Sequence, residues 1–123
     1  MTQPLALVLY ERLLPGTQLV NRLQDLGYRV LTVAGDTLKT TAEKERPMLA
    51  LVDLAARRIR VPELIADLRA NPATSHLPVI AFANDQDAKR EAAARKAGAT
   101  LVVNEAAMLD HLDQFLEQAL QLD

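Results

Sequence analysis

Two acidic residues stand at the ends of short apolar runs, where a carboxylate can meet a ligand. Asp53 closes Pro47-Met48-Leu49-Ala50-Leu51-Val52, and Glu11 follows Leu5 to Tyr10. Leu49 to Val52 reads as a strand buried on both faces. An acid immediately after such a strand is expected at a solvent-facing sheet edge, where open α/β sheets bind their ligands. The simpler reading of Asp53 is that it ends the strand or caps the turn that follows. Other chemistry-bearing residues are sparse. There are no cysteines, which removes disulfides and thiolate metal sites. No nucleophile sits beside a base, and the turn Glu11 to Gly16 has no glycine-rich phosphate cradle, so the residues argue against an enzyme. His76 falls in a loop and His111 near a helix start, and both read as exposed side chains rather than ligands or bases.

The acids need a scaffold, and 123 residues suffice for one domain spanning 1–123. Half the residues are hydrophobic but only 3% are aromatic, so aliphatic side chains and alanine must fill the core and stacking on nucleobases is not expected. With 14 basic against 16 acidic residues, no charge excess draws the molecule to nucleic acid or an anionic membrane. The apolar run Leu5 to Tyr10 is too short to span a bilayer and has no basic leader, which makes the cytoplasm the expected location.

In chain order, Leu5 to Leu9 is a first strand. Leu19, Val20, Leu23 and Leu26 then form a helical stripe closed by Gly27 at a C-cap position. Arg29 to Val33 is β-branched and short, a second strand. Leu38 and Ala42 mark a weak second helix. After the strand that ends at Asp53, Val61, Leu64, Ile65 and Leu68 repeat at helical spacing with Pro62 in the first turn. Val79 to Ala83 is a fourth strand, and Asp85 is placed to cap an alanine-rich helix running to Gly98, with Ala88, Ala92 and Ala97 on its shallow apolar face. Leu101 to Val103 is a fifth strand. Leu109, Leu112, Leu116 and Leu120 make the core stripe of one last helix, whose rim could also serve a weak homodimer.

Five strands alternating with five helices predict a doubly wound parallel sheet with right-handed crossovers, and the flavodoxin-like order 2-1-3-4-5 suits that number. Strands one and three then lie side by side, and Glu11 and Asp53 converge on the crevice where this architecture binds ligands.

With those residues placed, the sequence resembles the receiver domain of bacterial two-component response regulators, the CheY-like family. Pro47 to Leu54 resembles the family's strand ending in its phospho-accepting aspartate, matched by Asp53. Glu63 falls where the family usually has a glutamate opening its third helix. Leu68 to Thr74 and Leu77 to Ala81 are similar to the loop and fourth strand of receivers, and Lys96-Ala97-Gly98-Ala99 to the end of their fourth helix. The resemblance covers nearly the whole chain.

It also implies a switch from which this chain departs. Phosphoryl transfer to a carboxylate needs a divalent ion and fixed donors to neutralise charge. Magnesium prefers several hard oxygens in octahedral array. The family has two acids after its first strand, whereas this chain has Tyr10-Glu11. Glu11, Asp53 and the carbonyl of Ala55 are therefore the candidate ligands of a weakly held Mg2+. Where the family has a hydroxyl at the end of strand four, Ala83 stands here. Where it has a lysine after strand five, Asn104-Glu105 stands. Arg57, Arg58 and Arg60 follow Asp53, and Arg57 or Arg58 could pair with it, although loop arginines are usually solvated.

The expectation is an atypical, or pseudo-, receiver, a stand-alone module of two-component (phosphorelay) signalling that binds protein partners independently of phosphorylation. Its partner would be a histidine kinase or an output protein. A weakly active receiver phosphorylated on Asp53 with Mg2+ is the alternative within the family, and a small-molecule-binding flavodoxin-like domain the alternative outside it. A transcription factor is not expected, because no DNA-binding segment follows the last helix.

Overall fold

Short aliphatic runs, too brief for helices and bounded by turn residues, become strands here, and the central ones are covered on both faces. The computed structural model describes residues 3–10, 13–35, 37–56, 60–83 and 88–121. Its strands are β1 (Leu5–Leu9), β2 (Arg29–Val33), β3 (Leu49–Asp53), β4 (Val79–Ala83) and β5 (Leu101–Asn104). They form one parallel sheet in the order β2-β1-β3-β4-β5, the predicted doubly wound arrangement. Every residue of β1, β3 and β4 is buried, whereas the edge strand β2 is largely exposed.

The described helices are α1 (Leu13–Asp25), α2 (Leu38–Glu45), α3 (Val61–Ala70), α4 (Ala88–Ala97), α5 (Glu105–Asp110) and α6 (Leu112–Gln121). Because side chains alternate along a strand, each central strand feeds two cores. Leu7, Leu9, Ala50, Val52, Val79 and Ala81 pack with residues of α2, α3 and α4. Ala6, Val8, Leu49, Leu51, Ile80 and Phe82 pack with residues of α1, α5 and α6. Burial of each large aliphatic side chain contributes about 1.5–3 kcal/mol, which lets a chain so poor in aromatics hold its sheet.

Two helical expectations need correction. The stripe Leu109 to Leu120 is not one helix: the chain breaks at His111 (φ −129°, ψ 36°), leaving six residues in α5 and ten in α6. Neither proline nor glycine accounts for the break. The buried positions across it are Met108, Leu112, Leu116 and Ala119, while Leu109 and Leu120 lie at the rim. In α4, Ala88 and Ala92 face outward and Ala94 is the buried residue, with Ala97 partly packed. An alanine-rich helix carries little apolar contrast, so periodicity could not orient it. The proposed cap Asp85 lies outside the described residues.

At the opposite end of the sheet from Asp53, Arg69 ties three segments together. Its guanidinium donates to the carbonyls of Gly98 (2.9 Å), Ser75 (3.0 Å) and Leu77, and to Thr100 Oγ1 (3.2 Å). Gly98 sits at φ +113°, and a Cβ there would meet Arg69 Cγ at 2.7 Å, so both backbone conformation and the arginine stem require glycine.

Candidate functional site

Asp53 is the last residue of β3, not the first beyond it. It pairs in register with Phe82, and the Leu54 N–H donates to the Phe82 carbonyl at 2.8 Å, extending the β3–β4 ladder past the acid. The expectation of a solvent-facing carboxylate is corrected accordingly: Asp53 is 0% exposed. Its Oδ1 accepts the Ala55 N–H at 2.9 Å, and its carbonyl accepts the Ala56 N–H at 3.2 Å. This is the local turn that an aspartate favours, and it holds the carboxylate against its own backbone.

The neighbouring strands place the other predicted positions along the same edge. Leu9 pairs with Val52, so Tyr10 follows β1 beside Asp53. Ala83 and Asn104 pair with each other at the ends of β4 and β5. This register puts Asn104 at the strand end. Glu11, Arg57 and Arg58 lie outside the described residues.

Each described neighbour already has a structural task. The Tyr10 ring packs with the α1-side core and lies against Gly16, where any Cβ would overlap the ring. Ala83 is buried and presents only a methyl group. Asn104 accepts the N–H groups of Ala106 (2.9 Å) and Ala107 (3.2 Å) through Oδ1. It is thus the N-cap of α5, which starts directly after β5 with no intervening loop. Arg60, the described member of the arginine group, pairs at 3.2 Å with Glu63, and both side chains are well exposed.

Sequence reasoning did not find the Tyr10–Gly16 contact or the capping by Asn104. The second had a signal, since Asn is among the preferred N-cap residues, but the lack of a loop after the strand concealed it. A cavity of about 390 Å³ lies nearby between the starts of α3 and α4, lined by Leu54, Val61, Arg60 and Arg90 among others; Asp53 does not line it. His76 and His111 are exposed, as expected.

No family model matches the sequence, and no curated protein does. Solved structures do match. A signal receiver domain of a modulated diguanylate cyclase from Desulfovibrio desulfuricans G20 superposes with a TM-score of 0.80 at 27% identity, covering 97% of this chain and 94% of that one. A protein assigned as a response regulator from Chloroflexus aurantiacus J-10-fl gives 0.88 at 20% identity, covering 97% and 98%. The fold is that of response-regulator receivers. This receiver fold also matches the Mn(2+)-bound form of response regulator Rcp1, with a TM-score of 0.75 at 14% identity over 98% of this chain and 96% of that one.

That bound ion poses the question of fit. Among the described residues no group of three or more His, Cys, Asp or Glu could hold a metal ion, and no buried polar side-chain atom lacks a hydrogen-bond partner. Of the predicted ligands, the described residues include Asp53 and Ala55, which could offer one carboxylate and one backbone carbonyl. On their own these do not match the several hard oxygens that Mg2+ or Mn2+ prefers. Among the described residues no helix is long and apolar enough to cross a membrane.

Proposed function

We propose that this chain is a receiver-like module of two-component signalling that acts by binding protein partners independently of phosphorylation at Asp53. The observation that carries this reading is the row of residues at the sheet edge: Tyr10, Asp53, Ala83 and Asn104. A phosphoryl group on Asp53 would bring negative charge to an edge where Ala83 has no donor and the Asn104 acceptor is engaged with the start of α5. Phosphoryl transfer to a carboxylate depends on cations and donors already in place; these four residues include no cation, and Ala83 offers no side-chain donor. Tyr10 supplies a phenol rather than a carboxylate, and its ring packs on Gly16.

What remains is a doubly wound scaffold whose helices can present surfaces to a kinase or output protein. Intact-mass measurement after incubation with acetyl phosphate and Mg2+ tests the reading. The expected spectrum is that of the unmodified chain, matching Asp53→Asn; a phosphoryl adduct present in the native protein and absent from that variant would overturn it.

A further inference from the structure

The sheet ends at β2 on one side, and that edge is undefended. Both polar groups of a strand residue point to the same side, and the Arg29 N–H donates to the Pro4 carbonyl at 2.8 Å. Arg29, Leu31 and Val33 therefore bond to β1, while the N–H and C=O groups of Val30 and Thr32 point outward. Among the described residues no hydrogen bond reaches those outward groups.

Exposed strand edges are normally blunted by lysine, proline, a bulge or a covering helix. Arg29-Val30-Leu31-Thr32-Val33 has neither lysine nor proline, and its register with β1 runs unbroken from Leu5 beside Arg29 to Leu9 beside Val33. Neither helix layer fully covers it. Leu31, on the face that carries α2, is 38% exposed, and Thr32, on the face that carries α1, is exposed as well. Leu7, the neighbour of Leu31 in β1, is completely buried.

The outward groups lie symmetrically about Leu31, and that symmetry selects the occupant. When a second copy adds its β2 antiparallel, Val30 faces Thr32 of the other copy and exchanges both N–H···O bonds with it. The two-fold axis through Leu31 repeats the exchange. The two Leu31 side chains then meet as a non-hydrogen-bonded pair, the closer kind, with Cα atoms about 4.5 Å apart. Each Arg29 faces Val33 of the other copy, so the guanidinium groups stand at opposite ends of the ribbon and no like charges oppose each other.

We infer that this chain self-associates through β2, two copies joining antiparallel, edge to edge about Leu31, into one continuous sheet. The association uses none of the residues at the Asp53 edge and goes beyond the role proposed for them.

Sedimentation equilibrium of the full chain over about two decades of concentration reads the association. A reversible monomer–dimer equilibrium is expected. Leu31→Lys should raise the dissociation constant about tenfold or more, because it sets two ammonium groups against each other at the axis. Thr32→Pro should do the same, since it removes an outward donor and leaves the bonds to β1 in place. Should Thr32→Pro fail to fold, Leu31→Lys decides, because that side chain is exposed. The register is read by treating Leu31→Cys and Thr32→Cys with oxidised glutathione, the chain having no other cysteine. The first, directly opposed at the axis, should form a disulfide-linked dimer about tenfold or more faster than the second, whose copies stand diagonally about 7–8 Å apart. A monomer at every concentration, a dimer that Leu31→Lys or a folded Thr32→Pro leaves intact, or equal cross-linking of the two cysteine variants would each overturn the inference.

Discussion

The Tyr10 ring lies on Gly16, in the space that any other residue's Cβ would fill. The side chain beside Asp53 is thereby built into the packing of α1 rather than left facing the crevice. Gly16→Ala should raise helix propensity by about 1 kcal/mol. We nonetheless expect a net loss of about 1–3 kcal/mol, because overpacking forces the ring or the helix to move. Urea unfolding of Gly16→Ala, Tyr10→Ala and the double variant measures the coupling. Additive effects would show that the two residues do not constrain each other.

Asn104 has become a helix cap at the end of β5. Asn104→Ala should cost about 1 kcal/mol in urea unfolding, and Asn104→Asp should retain most of the native stability, because a carboxylate also accepts the two N–H groups. Equal losses in the two variants would contradict the capping role.

Arg69 holds together the end of α3, the loop before β4, the end of α4 and the start of β5. Arg69→Ala leaves carbonyls in this region without their donor and is expected to destabilise by about 2–4 kcal/mol. Arg69→Lys should recover only part, since an ammonium cannot reproduce the guanidinium fork. Full recovery by lysine in thermal unfolding would reduce Arg69 to a point charge.

Burial raises the Tyr28 phenol above the ordinary tyrosine value. The folded state therefore keeps its proton where the unfolded state has begun to lose it. The resulting stability is present below about pH 10 and is lost as pH rises through the higher folded value. Urea midpoints measured from neutral to alkaline pH should fall more steeply for the native chain than for Tyr28→Phe. Parallel curves would show that this phenol does not contribute.

The sheet was legible because strand burial leaves a simple mark. Leu49 to Val52 and Val79 to Ala83 are unbroken apolar runs, and only a central parallel strand suits such runs at that length. The strand order followed, and with it the alignment of Tyr10, Asp53, Ala83 and Asn104 along one edge. The burial of Asp53 was not legible, because burial at a strand end is set by what packs over it and not by the residues beside it in sequence. The orientation of α4 escaped for a different reason: Ala88, Ala92 and Ala94 are chemically identical, and only the packed structure distinguishes them. Arg69 looked like any surface arginine, since its acceptors lie up to 31 residues away. The break at His111 has no local sequence signal at all.

The proposed independence of this chain from phosphorylation is tested most directly by titrating beryllofluoride with Mg2+ into the labelled protein and following the amides of Asp53, Leu54, Ala83 and Asn104. Beryllofluoride stands in for the phosphoryl group on a carboxylate, so it reports the capacity of the site without requiring a kinase. The account predicts that spectra of the native chain and Asp53→Asn stay superimposable with their starting spectra throughout. Saturable shifts at these amides in the native chain, absent in Asp53→Asn, would contradict it.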